Sequence, residues 1–541
     1  MMESDTASGE SGPTPVRGLN LLLEAGWYGA GFAAVLALAL VNLYYPFGSD
    51  QAAFFYGAQE LDQGATLYVD YWDNKQPGLY LFYLVAGQLF GFSEYGIHLL
   101  ELIWMMVFAL VLMITLRPHL KAPWLSALAP LATIGVYYAG VTEYELTQLE
   151  MIVAFPLYLT AWCCLHAVTL AETRSSPWGI VLLFFLSGCF AALAVFFKLL
   201  LAVIPITFWL LASFFLFRGR ALTLVGLATR FWIPGAVGVA LPLAATLFWF
   251  WQAGALQELL WTSFAYPSEA FSTSPPAPKS RLLTATAFFL SSMAPWLLFT
   301  AIAAGVWLGR RSGDLQAMML AWLVVGAVLF LIQRFSWWEY HMLLLFVPAG
   351  ILALCGVDWI AARLGGLIDF GVTGRLSWLR HTEVPAMLCT LLFAAPLAAS
   401  LAGPFLAKTQ KLFYGAEVLR QGLQAYHWRA SENYERLWVG SRFLTEPDAR
   451  PGPIYAFGSA LVYPFTGRTS SHITAGAAWE YYLPAQTREI LEGFDAQQVP
   501  YVFVDRSDEK LFQLRPEVAR YLLENYTRLK KDDSGSWYER K

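Results

Sequence analysis

Charge is what this chain has least of. Of 541 residues only 14% are Asp, Glu, Lys or Arg, and the formal net charge is −4. So small an imbalance does not imply nucleic acid or any other polyanion as a partner, and none is expected. Cysteine is equally uninformative as chemistry. Cys163, Cys164, Cys189, Cys355 and Cys389 all lie in apolar runs, without metal-ligand spacing, and read as small buried hydrophobes rather than bridges. There is no glycine-rich phosphate loop of Walker type, no HExxH and no nucleophile elbow. No internal repeat is evident, and residues 1–20, rich in Ser, Gly, Pro and Thr, lack the basic opening of a signal peptide. Residues 1–26 are expected to form a disordered cytosolic tail.

What fills the chain instead is apolar sequence. Hydrophobic residues make up 57%, aromatics 16% with 22 Trp, and mean hydropathy is +0.50. That composition places the chain among multi-span membrane proteins, with tryptophans at the headgroup layer. Runs long enough to cross a bilayer, about 17–25 residues, are Trp27–Tyr45, Tyr95–Leu116, Trp124–Gly140, Met151–Leu170, Trp178–Phe197, Leu199–Phe217, Phe231–Trp251, Leu283–Leu308, Leu315–Gln333, His341–Ala361 and Val384–Leu401. Eleven spans are therefore expected. Pro77–Phe92 is apolar but marginal in length, and is expected to be re-entrant or interfacial.

Orientation follows from the basic short loops, which belong in the cytoplasm. Arg117/Lys121, Arg174, Arg218/Arg220/Arg230, Arg310/Arg311 and Arg363/Arg375/Arg380 are separated by two spans each. With the N-terminus inside, the C-terminal segment lies outside, and so do the unusual polar residues. From about Pro404 the apolar runs shorten and charge rises. Helical periodicity at Leu412–Trp428, Ala485–Asp495 and Pro516–Tyr526, with strand-like runs at Ile454–Phe457, Tyr501–Asp505 and Ser536–Glu539, predicts a soluble α/β domain over 404–541. Asp533-Ser534-Gly535 is expected to turn into the last strand. The membrane module is then 27–403, with a first outer loop at 46–94.

That loop holds most of the candidate chemistry. Ser49 or Asp50 could cap a helix running to about Gln63 and stopping at Gly64; Phe54, Ala58 and Leu61 share a face, which suggests a helix lying on the membrane. Asp50 is then either a helix-dipole partner or a base at the mouth of a membrane cavity. Asp70 and Asp73 precede Lys75, whose ammonium either snorkels to lipid headgroups or holds one phosphate of a lipid ligand. Lys198 is the lone charge in about 40 residues of apolar sequence. A charge at the bilayer centre costs about 2.5–3.5 kcal/mol, so an outer hairpin turn or a protein cavity is expected there. Gln148 and Glu150 open a span, as dipole partners or as ligand contacts. Arg334, Tyr340 and His341 form an aromatic-basic turn with Trp337 and Trp338.

Asp50-Gln51 just after the first span, then Tyr68-Val69-Asp70-Tyr71-Trp72-Asp73-Asn74-Lys75-Gln76-Pro77-Gly78, resembles the polytopic glycosyltransferases of the GT-C class. The nearest pattern is that of the polyprenyl-phosphate-sugar-dependent protein mannosyltransferases and aminoarabinose transferases. That family shows Asp-Glu or Asp alone, followed by Lys/His-Pro-Pro; here Gln51 follows Asp50, and Gln76 stands before Pro77. Gln148-Leu149-Glu150, the Gly188 to Lys198 span end, Trp338-Glu339-Tyr340-His341 and Pro500-Tyr501-Val502-Phe503-Val504-Asp505 are similar too. The resemblance implies a GT-C-like all-α membrane bundle with outer juxtamembrane helices and a small soluble C-terminal domain. It also implies an inverting transfer of sugar from a polyprenyl-phosphate donor, at the outer face of the inner membrane, to a glycan, lipid or protein acceptor. Asp50 would be the base, Lys75 would hold the donor phosphate, and Lys198, Arg334 and His341 would assist. Some relatives use a divalent metal, and the cofactor stays open. A transporter or flippase of a lipid-linked or anionic substrate, and a non-catalytic lipid-binding assembly protein of the same fold, are the competing readings.

Overall fold

The computed structural model describes residues 15–219, 222–273, 276–310, 313–371, 384–418, 422–506 and 510–541. Its helices run in chain order as α1 (Pro15–Leu40), α2 (Ser49–Asp62), α3 (Pro77–Phe90), α4 (Glu94–Leu116), α5 (Ala154–Glu172), α6 (Pro177–Phe197), α7 (Val203–Arg218), α8 (Ile233–Gln252), α9 (Lys279–Arg310), α10 (Asp314–Ile332), α11 (Phe346–Gly371) and α12 (Val384–Val418). Among the described residues eight helices are long and apolar enough to cross a membrane, beginning with Glu94–His119 and ending with Glu339–Leu364. The fold is a multi-pass helical bundle with a small C-terminal sheet domain.

The expected span at Trp124–Gly140 is the least regular. A 3₁₀ turn at Pro123–Leu128, a π-bulge at Leu131–Gly135 and a last turn at Val136–Gly140 replace one continuous helix. Pro123 and Pro130 interrupt the backbone ladder there. α3 is 14 residues, about 21 Å at 1.5 Å per residue, against a hydrocarbon core of about 30 Å. Two boundary expectations shift. Helix begins at Pro15, inside the expected 1–26 tail, with a proline at the position helices tolerate best; residues 1–14 lie outside the described residues. The composition change at Pro404 falls within α12, which runs unbroken through it.

Over the bundle sits a four-stranded sheet of order β1-β2-β4-β3, made of β1 (Ile454–Phe457), β2 (Tyr501–Asp505), β3 (Tyr526–Lys531) and β4 (Gly535–Arg540). β1 and β2 are parallel; β2 pairs antiparallel with β4, and β4 with β3. α13 (Pro484–Ala496) and α14 (Pro516–Asn525) are its longer helices after β1, with shorter ones at Leu423–Ala430 and Glu432–Ser441 before it. Asp532 caps the last turn, accepting from Ser534 N at 2.8 Å before Gly535 enters β4. This unit is tied to the loops of the bundle rather than tethered by a linker. Trp72 N donates to Ile473 O at 2.8 Å, Ser470 N donates to the Tyr56 hydroxyl at 2.8 Å, and Tyr434 OH donates to Glu94 at 2.8 Å.

Candidate active site

The site begins where the chain leaves α1. Gly48, in extended conformation, is the N-cap of α2, and its amide is satisfied by the Gln51 side chain at 2.9 Å. Neither Ser49 nor Asp50 caps the helix, which corrects that expectation. A Cβ on Gly48 would lie 2.4 Å from Glu143 O, so only glycine lets α2 start this close to the loop before Gln148. Nor does α2 lie on the membrane: Gln51 through Ala58 are all buried. A stretch buried on every face belongs inside a protein, and residues 51–58 of α2 are enclosed by α3, the neighbouring loops and the C-terminal unit.

Asp50 is thereby left at a wall, on the first turn of α2, accepting a hydrogen bond from the Tyr340 hydroxyl. Burial pushes its carboxyl above the usual range. The Lys75 ammonium opposes that shift, Asp73 adds to it, and the Tyr340 bond moderates it.

The tract from Thr66 to Gln76 is pinned at both ends. Tyr68 OH donates to Lys75 O at 2.6 Å, and Tyr80 OH donates to Asp73 at 2.6 Å. Trp72 Nε1 donates to Thr262 at 3.1 Å. Lys75 emerges just before Pro77, the first residue of α3. A Cβ on Gly78 would meet Phe196 O at 2.7 Å. This close approach sets the start of α3 against the end of α6, and so Lys75 beside Lys198.

Lys198 is the extended break after α6, with φ −158° and ψ 109°. Its Nζ donates to Glu150 Oε1 at 2.8 Å, and His341 Nε2 lies 3.7 Å from the same oxygen. The Glu150 side chain is 2% exposed and that of Lys198 17%. Among the described residues no carboxylate forms an ion pair with Lys75, which leaves its charge available to a ligand.

Asp50, Lys75, Lys198, Tyr340 and His341 line one cavity of about 270 Å³. A second, of about 760 Å³, opens on the other side of Asp50, between loops of the bundle and the C-terminal unit. Glu145, Glu339, Arg436, Asp505 and Arg506 line it. Asp50, Trp338, Tyr340 and Glu480 are common to both.

Other sequence candidates fall elsewhere. Asp70 accepts from Thr66 N at 2.7 Å and closes an exposed turn. Asp73 is held by Tyr80, one step behind the cavity. The Gln148 amide donates to Tyr144 O at 2.9 Å, within its own loop. Arg334 stacks over Phe271 and Phe335 at 4.6 and 4.9 Å; those rings line the cavity and the guanidinium does not. Sequence reasoning missed Glu480 and Tyr481, which the C-terminal unit inserts into the cavity wall. Tyr266 OH donates to Tyr481 O at 2.8 Å, and Tyr481 OH to Phe335 O at 3.2 Å. Among the described residues no group of three His, Cys, Asp or Glu side chains is placed to hold a metal ion.

The site therefore lies in a multi-pass bundle, in a cavity holding two lysines under a small sheet domain. Among solved structures, the chain is similar to ArnT from Cupriavidus metallidurans bound to undecaprenyl phosphate. The TM-score is 0.58 at 15% sequence identity, over 96% of this chain and 98% of that one. The apo state of the same protein aligns with a TM-score of 0.60 at 15% identity, over 97% and 98%. No family model and no curated protein matches the sequence. The likeness carries the fold from end to end.

Proposed function

We propose that this chain is a membrane glycosyltransferase, inverting, which moves a sugar from a polyprenyl-phosphate donor to an acceptor hydroxyl at the outer face of the cell (inner) membrane. The observation that carries the reading is the position of Asp50, in the wall between a cavity lined by lysines and a second cavity beside it. A donor phosphate fits the first, where Lys75 has no ion-pair partner among the described residues and Lys198 is held by Glu150. The second is then the acceptor's, and the C-terminal domain, extracytoplasmic in this reading, forms its far side.

The chemistry follows from that division. Asp50 takes the proton of the acceptor hydroxyl as its oxygen attacks the anomeric carbon. The new C–O bond forms on the face opposite the phosphate, the bond from anomeric carbon to phosphate oxygen breaks, and the configuration inverts. The leaving phosphate carries away the electron pair, and the two ammonium groups stabilise it. Burial of Asp50 raises its proton affinity, which suits a base. Undecaprenyl phosphate, the molecule bound in the ArnT structure, is the natural trial donor carrier.

The test is transfer from radiolabelled polyprenyl-phosphate sugars, by the purified protein, to a cell-envelope extract. Asp50→Asn should abolish transfer while donor binding persists; undiminished turnover in that variant removes Asp50 from the role. Substrate movement across vesicles without transfer would replace the enzyme by a transporter.

A further inference from the structure

A buried carboxylate that the chemistry above leaves unused lies behind the cationic cavity. Glu101 sits in α4, a helix apolar enough to span a membrane, and is fully buried. A carboxylate there is costly and calls for named partners. Both of its oxygens have one. Tyr137 OH donates to Oε1, and Thr147 Oγ1 donates to Oε2 at 2.6 Å. Thr147 N in turn donates to the Tyr137 hydroxyl at 2.9 Å, and Thr147 O accepts from Tyr83 OH at 3.3 Å. Every polar atom of Thr147 is therefore held.

Thr147 has φ +52°, a left-handed conformation that strains a β-branched residue. Such strain persists only where the surroundings over-determine it. Immediately after Thr147 the chain turns at Gln148 into the short helix Leu149–Ile152. Leu149 lines the cationic cavity, and Glu150 grips Lys198. The conformation at Thr147 thus sets the direction in which Glu150 points.

We infer that Glu101 is a positioning residue of the cationic cavity: it clamps Thr147 in its left-handed conformation and so aims Glu150 at Lys198. This rests on the reading of that cavity as the seat of a lipid phosphate. Its effect on ligand binding passes through Lys198, which a merely structural carboxylate would not require.

A double-mutant cycle reads that coupling, with undecaprenyl phosphate as the probe and full-length protein in lipid nanodiscs. Glu101→Ala should weaken binding about tenfold, the scale of one coupled polar contact. In a Lys198→Ala background the same change should do nothing further. Glu101→Gln, able to meet two hydroxyls that each donate or accept, should restore most of the affinity. Where Glu101→Ala does not fold, Thr147→Val, which deletes only the clamped hydroxyl, takes its place in the cycle. Equal losses in both backgrounds, or an unchanged affinity in the single variant, overturn the inference alone. Failure of the wild-type protein to bind the probe overturns the phosphate reading as well, and with it this assignment.

Discussion

The two cavities that meet at Asp50 are built in opposite ways. The smaller is lined by Lys75, Lys198 and His341, with Glu480 and Tyr481 reaching in from the C-terminal unit, and its cationic side is set within the bundle by the close approach of Gly78 to the end of α6. The larger carries Glu145, Glu339 and Asp505 against Arg436 and Arg506, and half of it belongs to another folding unit. A preorganised cationic pocket suits one invariant group, a phosphate. A mixed-charge space between two units can differ in shape at Glu145, Glu339, Arg436, Asp505 and Arg506, which the smaller cavity does not share. In an enzyme of the proposed kind, the constant part of the chemistry belongs to the first cavity and acceptor choice to the second.

The hardest blow to this division would come at the shared wall. Asp50→Asn should lower transfer by about 10²–10⁴-fold, the range for a lost general base, measured as initial rate at saturating donor. It should also raise the melting temperature slightly, by about 1–2 °C. The sign follows from the raised pKa of Asp50. An acid whose folded pKa lies above its unfolded value is penalised once ionised, so the penalty is absent at low pH and grows as pH rises through that window. A loss of stability in Asp50→Asn would contradict it.

Next in size is the ion pair that anchors the cationic side. Lys198→Ala leaves Glu150, already nearly inaccessible, without its ammonium. Breaking a buried pair by removing one member costs about 3–5 kcal/mol, so thermal unfolding should show a clear drop. Lys198→Ala/Glu150→Ala together should recover much of it. A double variant no more stable than the single would mean that the pair is not an energetic unit.

These residues differ in how readable they were. A lone Lys198 in a long apolar run, or Asp50 and Lys75 in an otherwise oily first loop, stand out because charge near a bilayer is costly. Glu101 carries the same signal, one carboxylate inside the Tyr95–Leu116 run, but an apolar run of that length reads as a span with or without it. Glu480 had no local signal; it reaches the cavity through tertiary packing, and nothing in Trp479-Glu480-Tyr481 says so. The sheet repeats the lesson. β1 and β2, buried along their whole length, are apolar blocks and were anticipated residue for residue. β3 is an exposed edge written YTRLKK, and polar edge strands carry little pattern. The face formed by Phe54, Ala58 and Leu61 misled for the converse reason: the intervening Ala and Phe residues are buried too.

The pH profile sharpens the comparison further. Asp50 must be ionised to accept a proton, so transfer should fall as pH drops through its raised pKa. Lys75 pulls that pKa down and Asp73 pushes it up. Lys75→Ala should therefore move the acid limb to higher pH, and Asp73→Asn should move it to lower pH. A limb that stays fixed in both variants would locate the titrating group elsewhere.

The smallest expected effects separate cavity from rim. Glu339→Gln, in the second cavity, should change the KM for acceptor by a few-fold, on the order of one partly exposed polar contact, and leave undecaprenyl phosphate affinity unaltered. Arg334→Ala should change that affinity by less than about twofold, because an exposed guanidinium stacked on rings at the rim contributes on the order of 0.5 kcal/mol and Arg334 does not line the cavity. The two variants bracket the cationic pocket from opposite sides. A large loss of phosphate affinity in Arg334→Ala would mean that the ligand reaches past Phe271 and Phe335 to the rim, so that the pocket closes around a longer stretch of the lipid than the two lysines alone can hold.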